Sequence, residues 1–140
     1  MTLSETVLCY DRIISDLVEA AKQPGFTKAD WAPLEELIAV DDFERIGILR
    51  ETMNWSQYAE FLTEWAASKG FWTRLRRITE QAPLVFYEVE EHHLKDGEET
   101  VINSMSVFEF DSAGKIRHLD VYLQGQLYPA DVLPDYATPK

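Results

Sequence analysis

The sequence holds one cysteine, Cys9, among 140 residues. A lone thiol excludes an internal disulfide and any zinc site built on cysteines. Near a helix start, Cys9 reads as a buried, inert side chain. Basic residues are also few: 13 Lys and Arg stand against 25 Asp and Glu, a net charge of -12. Only Arg74, Arg76 and Arg77 cluster. The basic surface that nucleic acid or an anionic membrane requires is therefore missing, and the acidic surface reads as a solubilising one. No run of about 18 apolar residues exists, so no membrane span is expected. The first stretch, MTLSETVLCYDRIISDL, carries acids and no basic start ahead of an apolar core, so it does not read as a signal peptide. A cytoplasmic location is the resulting expectation. There is no Gly-rich phosphate loop, so no cofactor is expected, and no internal repeat or low-complexity segment.

What is present is apolar. Hydrophobic residues make up 46% of the chain, ample for a packed core. The length suits one domain. It is expected over residues 1–126, followed by an extended tail over 127–140 that contains Pro129, Pro134 and Pro139.

The most legible stretch runs from Pro83 to Gln124. Asp96-Gly97 and Asp111-Ser112-Ala113-Gly114 are turn signals between runs rich in Val, Phe, Tyr and Ile. Three antiparallel strands joined by two hairpins follow. A two-residue Asp-Gly turn pairs Lys95 with Glu98, and hence Glu91 with Ile102, Val89 with Ser104, Tyr87 with Ser106 and Val85 with Phe108. A four-residue second turn pairs Phe110 with Lys115 and puts Arg117, Leu119, Val121 and Leu123 on the same face. That face is mostly apolar, so it should meet the core. Tyr87, Ser104 and Ser106 are its interior polar groups, with Glu91 and His93 toward one end. The other face carries Glu88, Glu90, His92, His118 and Asp120, interrupted by Phe86, Met105, Val107 and Tyr122. That interruption suggests a homodimer through the outer face.

Before these strands, helices are predicted over Thr2–Ala21, with a Thr2/Glu5 capping box, over Asp30–Ala39, and from Asn54 to Gly70, with Gln57 completing a second box. A short strand is expected within Val40–Leu49, and an edge strand over Phe71–Thr79. Helices gathered on one face of an antiparallel sheet make an α+β domain. Here it is a cone-shaped, cystatin-like roll of three N-terminal helices on a curved antiparallel sheet. Its middle is a natural small-molecule pocket.

The segments VFEFDSAGKIRHLDVYLQ (107–124) and LIAVDDFERIG (37–47) resemble the last hairpin, and the second helix with first strand, of the nuclear-transport-factor-2-like superfamily. That superfamily includes SnoaL-like polyketide cyclases, ketosteroid isomerases and limonene-epoxide hydrolase. The resemblance implies the cone fold, dimers through the sheet and chemistry on small molecules, but not the known acids. Ketosteroid isomerases place a general-base Asp where Gly47 stands and an oxyanion-hole Asp where Ser106 stands. Their first-helix Tyr finds only Tyr10 as a counterpart. The epoxide hydrolases aim an Asp-Arg-Asp set inward, where this chain has Ser104, Ser106, Leu119 and Val121.

The candidate catalytic groups are therefore Tyr87 and Ser106, cross-strand donors able to form an oxyanion hole, and Glu91 with His93, a carboxylate and imidazole on one face of a strand. Trp55, Tyr58, Val89, Ser104, Leu119, Val121 and Leu123 are expected to line the pocket, which should take an apolar ligand bearing a carbonyl or hydroxyl. Asp41 and Asp42 read as solvated or capping. His92, His118 and Asp120 fall on the wrong face for a shared metal. The alternatives to an isomerase, cyclase or dehydratase are a non-catalytic carrier or sensor of an apolar ligand, and a dimeric interaction module.

Overall fold

A computed structural model describes residues 1–125 and 134–137 of the chain. Three helices pack on a curved, unclosed six-stranded sheet. Helix α1 spans Leu3–Ala20. Its N-terminal amides are satisfied by the box read from the sequence: Glu5 N–H donates to Thr2 Oγ1 at 3.1 Å, and Thr2 N–H to Glu5 Oε2 at 2.8 Å. Helix α2 is only Ala32–Glu35, preceded by a 3-10 turn at Lys28–Trp31. It is much shorter than Asp30–Ala39. Beyond it the backbone turns to the sheet instead: Ile116 N–H donates to Leu37 O, and Ala39 N–H to Ile116 O. Helix α3, Trp55–Ala66, starts at Asn54 with its Gln57 box intact.

The strands are β1 (Glu44–Ile46), β2 (Thr52–Met53), β3 (Gly70–Gln81), β4 (Leu84–Lys95), β5 (Glu98–Phe110) and β6 (Ile116–Gln124). Their order is β2-β1-β6-β5-β4-β3. The sheet is mixed rather than wholly antiparallel, because β1 runs parallel to β6. Strand β3 takes the edge, with a bulge between Leu75 and Arg77. The β4–β5 register is the one the Asp-Gly turn dictates, from Lys95↔Glu98 to Val85↔Phe108. Asp96 and Gly97 both have positive φ, 53° and 80°, the backbone of a type I′ turn.

The second hairpin departs from the expected register. The Asp111 carboxylate accepts from both Ala113 N–H and Lys115 N–H. This draws Lys115 into the loop, so Phe110 pairs with Ile116 and a bulge follows. Phe108 then faces Leu119, Ser106 faces Val121, and Ser104 faces Leu123. From Leu119 onward the faces are kept, but the partners of Phe108, Ser106 and Ser104 move by two and that of Phe110 by one. Arg117, expected inward, is exposed and donates to Glu109 at 2.7 Å, while Ile116 is fully buried.

The core lies between α1, the α2 region and the closed end of the sheet, where Val7, Val18, Trp31, Leu34, Val85, Phe108, Ile116 and Leu119 are essentially out of solvent. Trp31 has its indole N–H satisfied by Thr63 Oγ1 at 2.9 Å. On the outer face Phe86 sits opposite Val107 and Met105 opposite Tyr122. His92 lies there too, between Glu99 and Glu90 at 2.6 and 2.7 Å, with Trp72 stacked on its ring. His118 contacts Asp120 and Glu44 instead. The tail expected over 127–140 is described only at Pro134–Ala137, where Ala137 N–H donates to Pro134 O in a turn. The rest of that expectation lies outside the described residues. Among the described residues no helix is long and apolar enough to cross a membrane.

Candidate functional site

The open end of the cone holds a cavity of about 410 Å³. Helix α1 supplies Tyr10, Asp11 and Ile14, and α3 supplies Tyr58, Phe61, Leu62 and Trp65. Arg45 enters from β1, with Ile48, Leu49 and Glu51 from the loop that follows it. The floor is the inward face of β3 to β6: Phe71, Thr73, Tyr87, Val89, Glu91, His93, Ile102, Ser104, Ser106, Leu119, Val121 and Leu123.

Most residues singled out from the sequence are therefore brought together around one cavity: Tyr87, Ser106, Glu91, His93, Tyr58, Val89, Ser104, Leu119, Val121 and Leu123. Trp55 is not among them. Its indole N–H donates to Glu35 at 3.0 Å and its ring packs edge-on against Phe43, so it is a core residue one turn away from the cavity. Glu91 and His93, toward one end of the inward face, are half-buried. His93 Nε2 lies 3.0 Å from Glu91 Oε1, and its ring packs among Trp65 and Phe71.

Two functional groups escaped the sequence reading. The first is Asp11. It sits on the buried stripe Val7, Ile14, Val18 of α1, where a carboxylate has no cheap solvation. Thr73 Oγ1 donates to its Oδ2 at 2.7 Å, and the Tyr87 hydroxyl lies beside it. Burial pushes the Asp11 carboxyl above its usual range; the Thr73 and Tyr87 hydroxyls hold back part of the shift, and the Glu91 charge adds to it. Burial, and then the Asp11 charge, raise the Tyr87 phenol too, so it stays protonated and acts as a donor. Tyr87 thus turns its hydroxyl toward Asp11 and Thr73 rather than toward its cross-strand partner Ser106. The sequence signal for Asp11 was a carboxylate at i+4 from Val7 and i−3 from Ile14, a polar break in an apolar stripe.

The second is Arg45. Its side chain is 13% exposed, and its guanidinium lies 4.9 Å from the Tyr58 ring centre and 5.6 Å from that of Phe61. Tyr58 in turn shares a 2.7 Å hydroxyl contact with Tyr10. Burial first, and Tyr58 second, raise the Tyr10 phenol well above normal. At Gly47 a Cβ would meet the Glu51 carboxylate and come within 2.9 Å of Arg45 Nη1, both of them side-chain ends that would have to shift.

No family model and no curated protein matches the sequence. Solved structures do. A candidate SnoaL-like polyketide cyclase from Shewanella denitrificans OS-217 superposes with a TM-score of 0.70 at 12% identity, over 87% of this chain and 90% of that one. A second candidate SnoaL-like polyketide cyclase, from Jannaschia sp. CCS1, gives 0.67 at 14% identity, over 86% and 84%. An LEH-like epoxide hydrolase of M. tuberculosis gives 0.59 at 17% identity, over 82% of each chain. The chain has the NTF2-like fold. At these identities the likeness carries the fold and no residue role, so the chemistry of this NTF2-like chain rests on its own cavity. Within it, a carboxylate raised by burial adjoins a phenol that stays protonated, the pairing that acid–base catalysis uses.

Proposed function

We propose that this chain is an acid–base enzyme of the isomerase, cyclase or dehydratase type. It moves a proton beside a carbonyl on a small, largely apolar substrate. The observation that carries the reading is Asp11: a half-buried carboxylate, raised above its usual range, facing a cavity of about 410 Å³ beside a protonated tyrosine. A carboxyl whose pKa lies above the usual range is a stronger base than a solvated one. In the forward step Asp11 takes the proton from the carbon next to the carbonyl. The C–H electron pair moves to form the enolate, and Tyr87, released from Asp11 as that carboxylate takes the proton, donates its O–H to the enolate oxygen. Return of the proton from Asp11 to a different carbon gives the isomerised product; collapse of the enolate onto an internal electrophile closes a ring. Glu91 and His93, next along β4, add negative charge near Asp11 and a second proton-carrying pair.

The test is hydrogen–deuterium exchange at the α-carbon of a ring ketone. 2-Tetralone is incubated with the protein in deuterated buffer and followed by proton NMR. Exchange faster than buffer alone is expected. Its rate should rise with pH through a value above that of an ordinary aspartate and then level off, because the base must be ionised. Asp11→Asn should remove it. Exchange that never exceeds buffer, or that survives Asp11→Asn, leaves the fold as a carrier of an apolar ligand.

A further inference from the structure

Arg45 is the cavity group that neither the fold nor the proposed chemistry uses. Its Nε and Nη1 are buried, and no hydrogen-bond acceptor reaches either. The nearest carboxylate oxygen, Glu51 Oε1, is 3.9 Å from Nη1, beyond hydrogen-bond length. A guanidinium never sheds its charge, and buried N–H groups without acceptors are costly. The packing holds the group in place even so, over the rings of Tyr58 and Phe61. It is a fixed cation in a cavity wall, incompletely paired by the protein.

Its position matters as much as its charge. Arg45 comes from β1, and Tyr87, Glu91 and His93 come from β4, with β6 and β5 between them in the sheet. The β1 side of the cavity thus carries the Arg45 cation with the Glu51 carboxylate 3.9 Å away, and the Asp11–Glu91 side carries two carboxylates. An anion entering this cavity is repelled from the carboxylate wall and drawn to the guanidinium, while the apolar floor between accepts a ring.

We propose that Arg45 binds a carboxylate on the ligand, and that the substrates of this site are small ring-bearing carboxylic acids. The ligand's carboxylate supplies the close counter-charge that Glu51, at 3.9 Å, does not. Anchored there, the acid presents its remaining carbons toward Asp11 and Tyr87. The inference rests on the acid–base reading for the cavity's being a substrate site, but binding selectivity is measured without turnover.

The experiment is calorimetric titration of the full chain at pH 7.5 with 2-naphthoate and with its neutral isostere 2-naphthamide. Naphthoate is expected to bind at least about tenfold more tightly, a preference of about 1.4 kcal/mol. Arg45→Gln should bring the two affinities together, and Arg45→Lys should restore part of the difference. Asp11→Asn should keep the preference, since it removes the base and not the anchor. Absence of α-proton exchange in the wild-type protein, with the preference intact, would sink the catalytic reading alone. Equal binding of the two probes, binding of neither up to about 1 mM, or a preference unchanged in Arg45→Gln overturns the anchor. If Arg45→Gln fails to fold, the wild-type ratio and its decline with added salt decide the matter.

Discussion

Replacing Asp11 by asparagine should make the fold more stable at neutral pH. Asparagine has the shape of aspartate and keeps an oxygen for the Thr73 hydroxyl that lies 2.7 Å from Oδ2. What it removes is a charge on a buried stripe between Val7 and Ile14. Because burial raises the Asp11 carboxyl, the ionised form fits the folded state less well than the unfolded one. The sign follows from linkage. The stability associated with this carboxyl is fully present below the unfolded value near pH 3.9, and is lost as pH rises through the raised folded value. Each unit of elevation corresponds to about 1.4 kcal/mol of stability missing at pH 7.5. The neutral isostere recovers that amount, and the elevation already includes the pull of Thr73. In a chain of this length, 1 kcal/mol moves the melting temperature by roughly 3–5 °C. Thermal unfolding of both proteins by circular dichroism, from pH 3.5 to 8, checks it. The curves should converge at the acid end and separate through the raised range, with the variant above. An Asp11→Asn protein that melts below wild type at pH 7.5, or a gap that ignores pH, would refute the buried-base argument. A side chain that lowers stability at working pH points to a role that stability alone does not explain.

Two further perturbations probe the site and the sheet. Val121→Trp places a ring into the cavity that Val121 lines; the melting temperature should change little and naphthoate binding should vanish, whereas a loss of stability of about 1–3 kcal/mol, the cost of overpacking, would mean the space is not available. On the outer face, hydrogen bonding to Glu99 first, and to Glu90, raises the His92 imidazole; its NMR titration midpoint should lie above the ordinary 6.5 and fall in Glu99→Gln, and a midpoint at or below 6.5 in wild type would count against the Glu99–His92–Glu90 arrangement.

The strands were legible because their signals are local. Asp96-Gly97 dictates a turn with two positive φ values, and the register of twelve-residue β4 on β5 follows from it residue by residue. The second hairpin slipped because its turn is closed by a side chain: Asp111 captures Lys115 N–H, which loop length alone does not reveal. The second helix came out short because Leu37 and Ala39 make their backbone bonds to Ile116, a partner far along the chain. The site divided along similar lines. Tyr87, Ser106, Glu91 and His93 were readable because strand alternation assigns a face to every residue. Asp11 was passed over because helical periodicity is scored on apolar positions, and a lone carboxylate among them counts as a gap. Arg45 lies in a three-residue strand, too short for alternation to declare a direction, and only tertiary packing over Tyr58 and Phe61 shows that it points inward.

The parallel pairing of β1 with β6 bears on the order in which the molecule is assembled. Glu44 waits for His118, and Ile46 for Asp120. The β3–β4–β5 meander closes through short turns and pairs early, since little chain entropy is lost in doing so. Strand β1 has only the two residue pairs of β2 to hold it until β6 has folded against β5. A nascent chain emerging in order from its N-terminus therefore carries Arg45 exposed through most of its synthesis. The cationic wall therefore depends on the second hairpin, because β1 is held between β2 and β6.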